Sequence, residues 1–153
     1  MPQGIIAVNA LRQMGQMPFA PPNVKGWDGG KAWINTSTLL FRYNLANFEL
    51  NNGALNVQQM QKIAGANKAM NRLGFDIENR KPVDLAKIAP PSLRTDPQKL
   101  VAGLAFRLYQ SPLSAHDART FTDFLLQKNN DTSDQTVRDL LHLMMSTPQY
   151  QLT

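Results

Sequence analysis

The chain has 153 residues, 42% of them apolar and 18% charged, with no cysteine and a formal net charge of +5. That size suits one domain with a modest core, and the low charge fraction excludes a chain disordered throughout. The missing cysteines exclude a disulfide framework, a thiolate metal site and a cysteine nucleophile, and leave the compartment open.

No apolar run approaches the roughly 18 residues of a membrane helix. Ile5, Ile6, Ala7 and Val8 have no Lys or Arg before them and are too short a core for a signal peptide. Any export signal is therefore expected upstream, and localisation is not readable. The positive charge is local. Between Gln61 and Arg107 stand Lys62, Lys68, Arg72, Arg80, Lys81, Lys87, Arg94, Lys99 and Arg107 against Asp76, Glu78, Asp84 and Asp96. A basic middle suits nucleic acid, anionic lipid or an acidic partner, but a solvated face explains it more simply.

In chain order, Ile6, Ala10, Leu11 and Met14 recur at helical spacing and predict a helix over Ile5 to Gly15, with Gly15 as its stop. A helix this close to Met1, with no upstream partner, reads as the tail of a longer protein. Gly15 to Ala32 is a loop. Asn35, Thr36 or Ser37 then offers an N-cap for a helix whose stripe is Leu39, Tyr43, Ala46 and Leu50, and Asn51-Asn52-Gly53 ends it. Asn56 to Leu73 predicts another helix with Met60, Ile63, Met70 and Leu73 inward, weakened by Gly65. Phe75 to Arg94 is punctuated by Pro82, Pro90 and Pro91, with one or two helical turns over Val83 to Ile88.

The last third is better patterned. Asp96 followed by Pro97 starts a helix through Leu100, Leu104, Arg107 and Leu108 to about Tyr109. Ser111-Pro112 breaks it. Ser114 and Asp117 resemble a capping box for a helix with Ala118, Phe121, Leu125 and Leu126 on its apolar face. Asn129 to Asp131 is a loop. Ser133 or Asp134 caps the last long helix, with Val137, Leu140, Leu141, Met144 and Met145 buried, and Pro148 ends it. No stretch alternates as a strand would. The fold class is all-α: an irregular bundle of about five helices in one domain spanning 1–153, with a long Pro/Gly/Trp-rich loop near the N-terminus.

That loop, within Met17 to Asn47, gathers three of the ten prolines, three of the nine glycines and both tryptophans. Pro21 and Pro22 stiffen its entry, and Gly26, Gly29 and Gly30 permit positive φ or close backbone approach. Trp27 and Trp33 offer flat faces for a sugar ring or a partner's side chain, or they pin the loop to the helices. Asp28 and Arg42 are its polar groups. Arg42 suits a carboxylate or phosphate, or it serves the loop's carbonyls or pairs with Asp28. Neither GxxxxGK[ST] nor GxGxxG occurs, so Gly29-Gly30-Lys31 is a weak anion signal.

Outside the loop the chemistry is sparse. His116 has Ser114 and Asp117 nearby, but all three read better as helix-start residues, and His142 lies on another helix. Two histidines without cysteine are poor material for zinc, and no cofactor is implied. Met60, Met70, Met144 and Met145 fall at core spacing.

The run Phe19-Ala20-Pro21-Pro22-Asn23-Val24-Lys25-Gly26-Trp27-Asp28-Gly29-Gly30-Lys31-Ala32-Trp33-Ile34 resembles the signature of a bacterial family, domain of unknown function 1800. In that family a PPNVxGWxGGxxWI stretch precedes a helix with an arginine, here Arg42. Leu143-Met144-Met145-Ser146-Thr147-Pro148-Gln149-Tyr150-Gln151 is similar to the family's LMxSPEFQ ending, and Ser111 to Ser114 fits the break between its late helices. Asp28 stands where proline is common, Gln149-Tyr150 where Glu-Phe is common, and Thr147 is an insertion. Members run to several hundred residues, so the resemblance makes this chain a C-terminal part. It further implies export and a sulfatase-like or phosphatase-like protein as neighbour and partner.

Three readings follow. The first is a non-catalytic structural or protein-interaction module, with Asn23, Trp27, Asp28, Trp33 and Arg42 as ligand or partner contacts. The second is part of an envelope-associated enzyme or carbohydrate-binding protein using the same loop. The third, nucleic-acid binding through the basic middle, lacks aromatic interleaving and any recognised motif.

Overall fold

The structure, a computed structural model, describes residues 2–17, 19–26, 30–51 and 83–152, with the side chains of residues 2–7, 30 and 33 excepted. Among them are seven α-helices and no strand. The helix expected over Asn56 to Leu73 lies outside the described residues. The chain divides into two compact units, Met1–Lys81 and Pro82–Thr153.

In the first unit, α1 spans Pro2–Gln13. It ends where the sequence places the stop: Gly15 takes φ 77, its N–H donates to Arg12 O, and the Gln16 N–H donates to Leu11 O. Those two bonds satisfy the terminal carbonyls in the way a left-handed residue after a helix permits. A 3₁₀ turn over Gly30–Trp33 leads to α2, Thr36–Leu50. Asn35 is its N-cap. Asn35 Oδ1 accepts from the Thr38 N–H and Thr38 Oγ1 accepts from the Asn35 N–H, each at 2.9 Å.

The expected stripe of α2 is only half right. Ala46 and Leu50 are buried together with Thr38 and Phe48, whereas Leu39 and Tyr43 face solvent at 43 and 45% exposure. Leu50 projects between Leu39 and Tyr43 on one face of the helix, so the difference lies along the axis: on that face the later turns, with Ala46 and Leu50, are covered and the earlier ones are not.

In the second unit, α3 (Leu85–Ile88) is a single turn capped by Asp84. The helices α4 (Pro97–Leu108), α5 (Ala115–Gln127) and α6 (Asp134–Met145) pack pairwise around Leu100, Leu104, Leu125, Val137, Leu140, Leu141 and Met144. Each such side chain contributes about 1.5–3 kcal/mol when fully buried. The caps fall on Asp96 and Ser114, as the sequence predicts, and on Ser133 of the two candidates Ser133 and Asp134. Leu126, expected on the apolar face of α5, is half exposed, and Met145, expected in the buried stripe of α6, is only partly buried. Gly103 sits mid-helix because Leu93 occupies its space: a β-carbon there would stand 2.7 Å from Leu93 Cδ1.

Pro148 does more than end α6. With Thr147 as N-cap it starts a further turn, α7 (Pro148–Gln151). This ending folds back onto the break after α4. The buried Tyr109 hydroxyl donates to Met144 O at 2.9 Å and lies 3.1 Å from Thr147 Oγ1, and the Tyr150 ring meets the Tyr109 ring edge-on at 6.4 Å. Gln149 Nε2 donates to Ser111 Oγ at 2.8 Å. Burial raises the Tyr109 phenol above its ordinary value against the opposing effect of the Thr147 hydrogen bond.

The loop between α5 and α6 has Asn129 and Asn130 both at φ 56. Asp131 then collects hydrogen bonds from the Ser133 N–H, Ser133 Oγ and Thr136 Oγ1, led by the Ser133 hydroxyl, and they hold its carboxyl at about 2. Arg94 ties this corner to the α3 turn, donating from Nε to Ala89 O at 2.8 Å and from Nη1 to Asp134 Oδ1 at 2.7 Å.

Two outcomes follow. Tyr109→Phe lowers stability by about 1 kcal/mol, the usual net worth of one hydrogen bond, read as a lower midpoint in thermal unfolding. Because the folded Asp131 pKa is depressed, its contribution is present above the ordinary carboxylate range and fades as pH falls from there toward about 2. Asp131→Ala therefore destabilises at pH 7 and flattens the acid limb of stability against pH. An unchanged acid limb in urea titrations would contradict that assignment.

Candidate functional site

The structure places the loop residues singled out by sequence unevenly. Pro21, Pro22 and Asn23 are exposed. Asn23 spends its polar groups on the loop itself: Oδ1 accepts from the Lys25 N–H at 2.8 Å, and the Asn23 carbonyl accepts from the Gly26 N–H at 3.1 Å. A side chain that caps its own turn in this way fixes the backbone two residues on. Gly26 takes φ 89, which glycine adopts without strain. Trp27, Asp28 and Gly29 lie outside the described residues, so their expected contacts do too. Gly30 and Trp33 open and close the 3₁₀ turn through their backbones.

Arg42 lies on the inward arc of α2, one turn from buried Thr38 on one side and buried Ala46 on the other. Its Nε is buried and has no hydrogen-bond partner among the described residues. Burial lowers its pKa. A desolvated, unbonded N–H costs free energy, and the expected partner Asp28 lies outside the described residues.

Spacing did not foresee what surrounds these residues. Phe19 is 99% exposed and Val24 104%, and Phe19 holds φ 61. Leu39, Leu40 and Tyr43 lie within an arc of roughly 100° on the solvent side of α2. No sequence signal separates an exposed Phe from a buried one in a proline-rich loop. The consecutive Leu39-Leu40 was the available hint, since one buried stripe rarely takes both.

The second unit holds a groove of about 490 Å³ between α4 and α5. Val101, Ala102, Ala105, Leu113 and Leu126 form its apolar walls, and Gln98, Arg119, Thr122 and Asp123 its polar edge. The Thr122 hydroxyl is occupied by the Ala118 carbonyl at 2.8 Å. Arg119 and Asp123 are exposed, one turn apart, and opposite in charge.

The sequence profile of the family described as "Protein of unknown function (DUF1800)" matches residues 3–152. The chain belongs to this family. No curated protein and no solved structure matches significantly. Of the family-like stretches, the ending Leu143 to Gln151 and the break at Ser111-Pro112 are brought together through Gln149 and Tyr109, which makes both architectural. In the loop stretch, by contrast, Phe19 and Val24 stand exposed to solvent.

Other candidates are accounted for by local structure. Ser114 Oγ caps α5 by accepting from the Asp117 N–H and donates to Asp117 Oδ2 at 2.7 Å. His116 and His142 sit on different helices. No group of three metal-binding side chains occurs among the described residues. Of the basic run, Lys87 pairs with Asp84 and Arg94 with Asp134, while Lys62 to Lys81 lie outside the described residues.

Arg42→Met replaces the stem and its buried, unbonded Nε with an unbranched apolar side chain, and is expected to raise stability, by no more than about 1 kcal/mol. Thermal unfolding of the variant checks this, and a lower midpoint would mean that Arg42 has a structural partner.

Proposed function

We propose that this chain is a non-catalytic protein-interaction module, and that the α4–α5 groove receives apolar side chains from a partner's helix. The observation that supports this reading is the groove itself. Its walls are apolar, its volume is in the range of binding pockets, and its polar side chains, Gln98, Arg119, Thr122 and Asp123, form its edge. The charges at its edge suit a helix instead. Arg119 and Asp123 stand one turn apart, so a partner helix with a carboxylate and a base at matching spacing meets both. Ala102, Ala105 and Ala118 allow the close approach that such docking needs. Phe106, 89% exposed on α4, widens the apolar surface on that helix.

The second reading, part of an envelope-associated enzyme or carbohydrate-binding protein, uses Trp27, Asp28, Trp33 and Arg42 of the same loop; Ser114 and Asp117, near His116, are committed to each other and to the cap of α5. The loop residues Asn23, Trp27, Asp28, Trp33 and Arg42 remain proposed as a separate contact region of the first unit. The buried, unbonded Nε of Arg42 favours an anionic group there. The sulfatase-like or phosphatase-like neighbour implied by the family resemblance is the first partner to test.

Ala102→Trp fills the groove from an exposed position, and Arg119→Glu reverses one charge at its edge. Each is expected to reduce recovery of the tagged chain's partner on the order of tenfold, with the unfolding midpoint nearly unchanged, since surface changes usually stay within about 0.5 kcal/mol. Undiminished recovery with both variants would sink the groove as the contact.

A further inference from the structure

Phe19 and Val24 stand almost wholly in water, and the backbone rather than packing holds them there. Phe19 occupies the left-handed region, which bulky residues rarely take, and the turn after it is fixed by Asn23 and by Gly26 at φ 89. A strained backbone that presents an apolar side chain to solvent asks for a function at that side chain. Lys25 follows Val24 directly, and Lys31 lies on the 3₁₀ turn beyond; both are exposed. Between Met1 and Phe48 the sequence has four basic side chains and one acidic one, Asp28.

The charge of the whole molecule points the same way. Met1–Lys81 carries nine basic and four acidic side chains, whereas Pro82–Thr153 carries seven of each. The entire excess of +5 belongs to the unit that bears the projecting turn.

We infer that the segment Phe19–Lys25 is a contact element for an anionic lipid surface. Phe19 and Val24 enter the interfacial layer, and Lys25 and Lys31 face the headgroup phosphates. Stable attachment of this kind takes an apolar and an electrostatic component together, and the turn supplies both. A protein partner is the less fitting occupant. A specific protein interface needs on the order of 1,000 Å² with close shape complementarity. Among the described residues the tip presents two apolar side chains flanked by exposed Pro21, Pro22 and Asn23, a shape that a soft interfacial layer accommodates without a complementary surface. No helix among the described residues is long and apolar enough to cross a membrane, so the contact is peripheral.

The test is cosedimentation of the whole chain with phosphatidylcholine vesicles, with and without phosphatidylglycerol. Binding is expected to be on the order of tenfold or more tighter with phosphatidylglycerol present, and to weaken as salt is raised. The double variant Phe19→Ser with Val24→Ser is expected to lose on the order of tenfold in partitioning without a change in unfolding midpoint, since neither side chain packs against the fold. Lys25→Glu with Lys31→Glu is expected to lose a comparable factor at low salt only. Binding that ignores the Phe19/Val24 change overturns the proposal, because charge alone then accounts for it. Failure to bind phosphatidylglycerol vesicles overturns it as well, and loss of a protein from the co-purified set on the same double change would identify a protein contact instead. The groove variants Ala102→Trp and Arg119→Glu are expected to bind vesicles like the wild type, so either reading can fail without the other.

Discussion

The second unit depends on one buried hydroxyl. Tyr109 ends α4, and its O–H reaches the last carbonyls of α6 some 35 residues later. That bond brings Thr147 and Tyr150 against the Tyr109 ring, which sets α7 where Gln149 can reach Ser111. The apolar layer of α4, α5 and α6 would collapse in several ways on volume alone, since hydrophobic burial is not directional. A hydroxyl removed from water must find its acceptor, and that requirement selects one register between the end of α4 and the end of α6. Arg94 does the same at the opposite corner, joining the α3 turn to the start of α6 through Ala89 and Asp134.

The first unit is organised differently. Its described loop has few packing contacts and is shaped by local backbone chemistry: Gly15, the Asn23 turn, Gly26 and the reciprocal cap between Asn35 and Thr38. Order obtained this way leaves side chains at the tip in solvent. The two halves of the chain therefore treat their family-like stretches in opposite ways. The C-terminal ending is consumed by folding, and the loop is presented outward.

What could be read in advance divides along the same physical line. Caps and stops depend on two or three neighbouring residues, so Gly15, Asp96 and Ser114 were legible outright, and Asn35 and Ser133 to within one or two neighbours. The core face of α6 was legible because Val137, Leu140, Leu141 and Met144 fill a single arc with polar residues elsewhere. The exposure of Leu39 and Tyr43 on the stripe of α2 was not, because only tertiary contacts decide which turns of one face are covered. The α4–α5 groove was not, because it arises from two helices and a break that meet only in the fold. Arg42 was noticed for its position beside a tight loop, but its unbonded Nε is a property of its surroundings. Pro148 was read as a terminator from its missing N–H, and the same property suits the first turn of α7.

Gly103 shows how packing overrules local preference. In a helix interior glycine costs about 1 kcal/mol relative to alanine, yet α4 carries it at its centre because Leu93 fills the room a β-carbon would take. The two positions therefore share one volume. A larger residue at 103 fits where 93 is smaller, or where the end of the Leu93 side chain turns aside. Within the family, sequence drift at these sites should occur as paired exchanges, while each site taken singly would look conserved for no local reason.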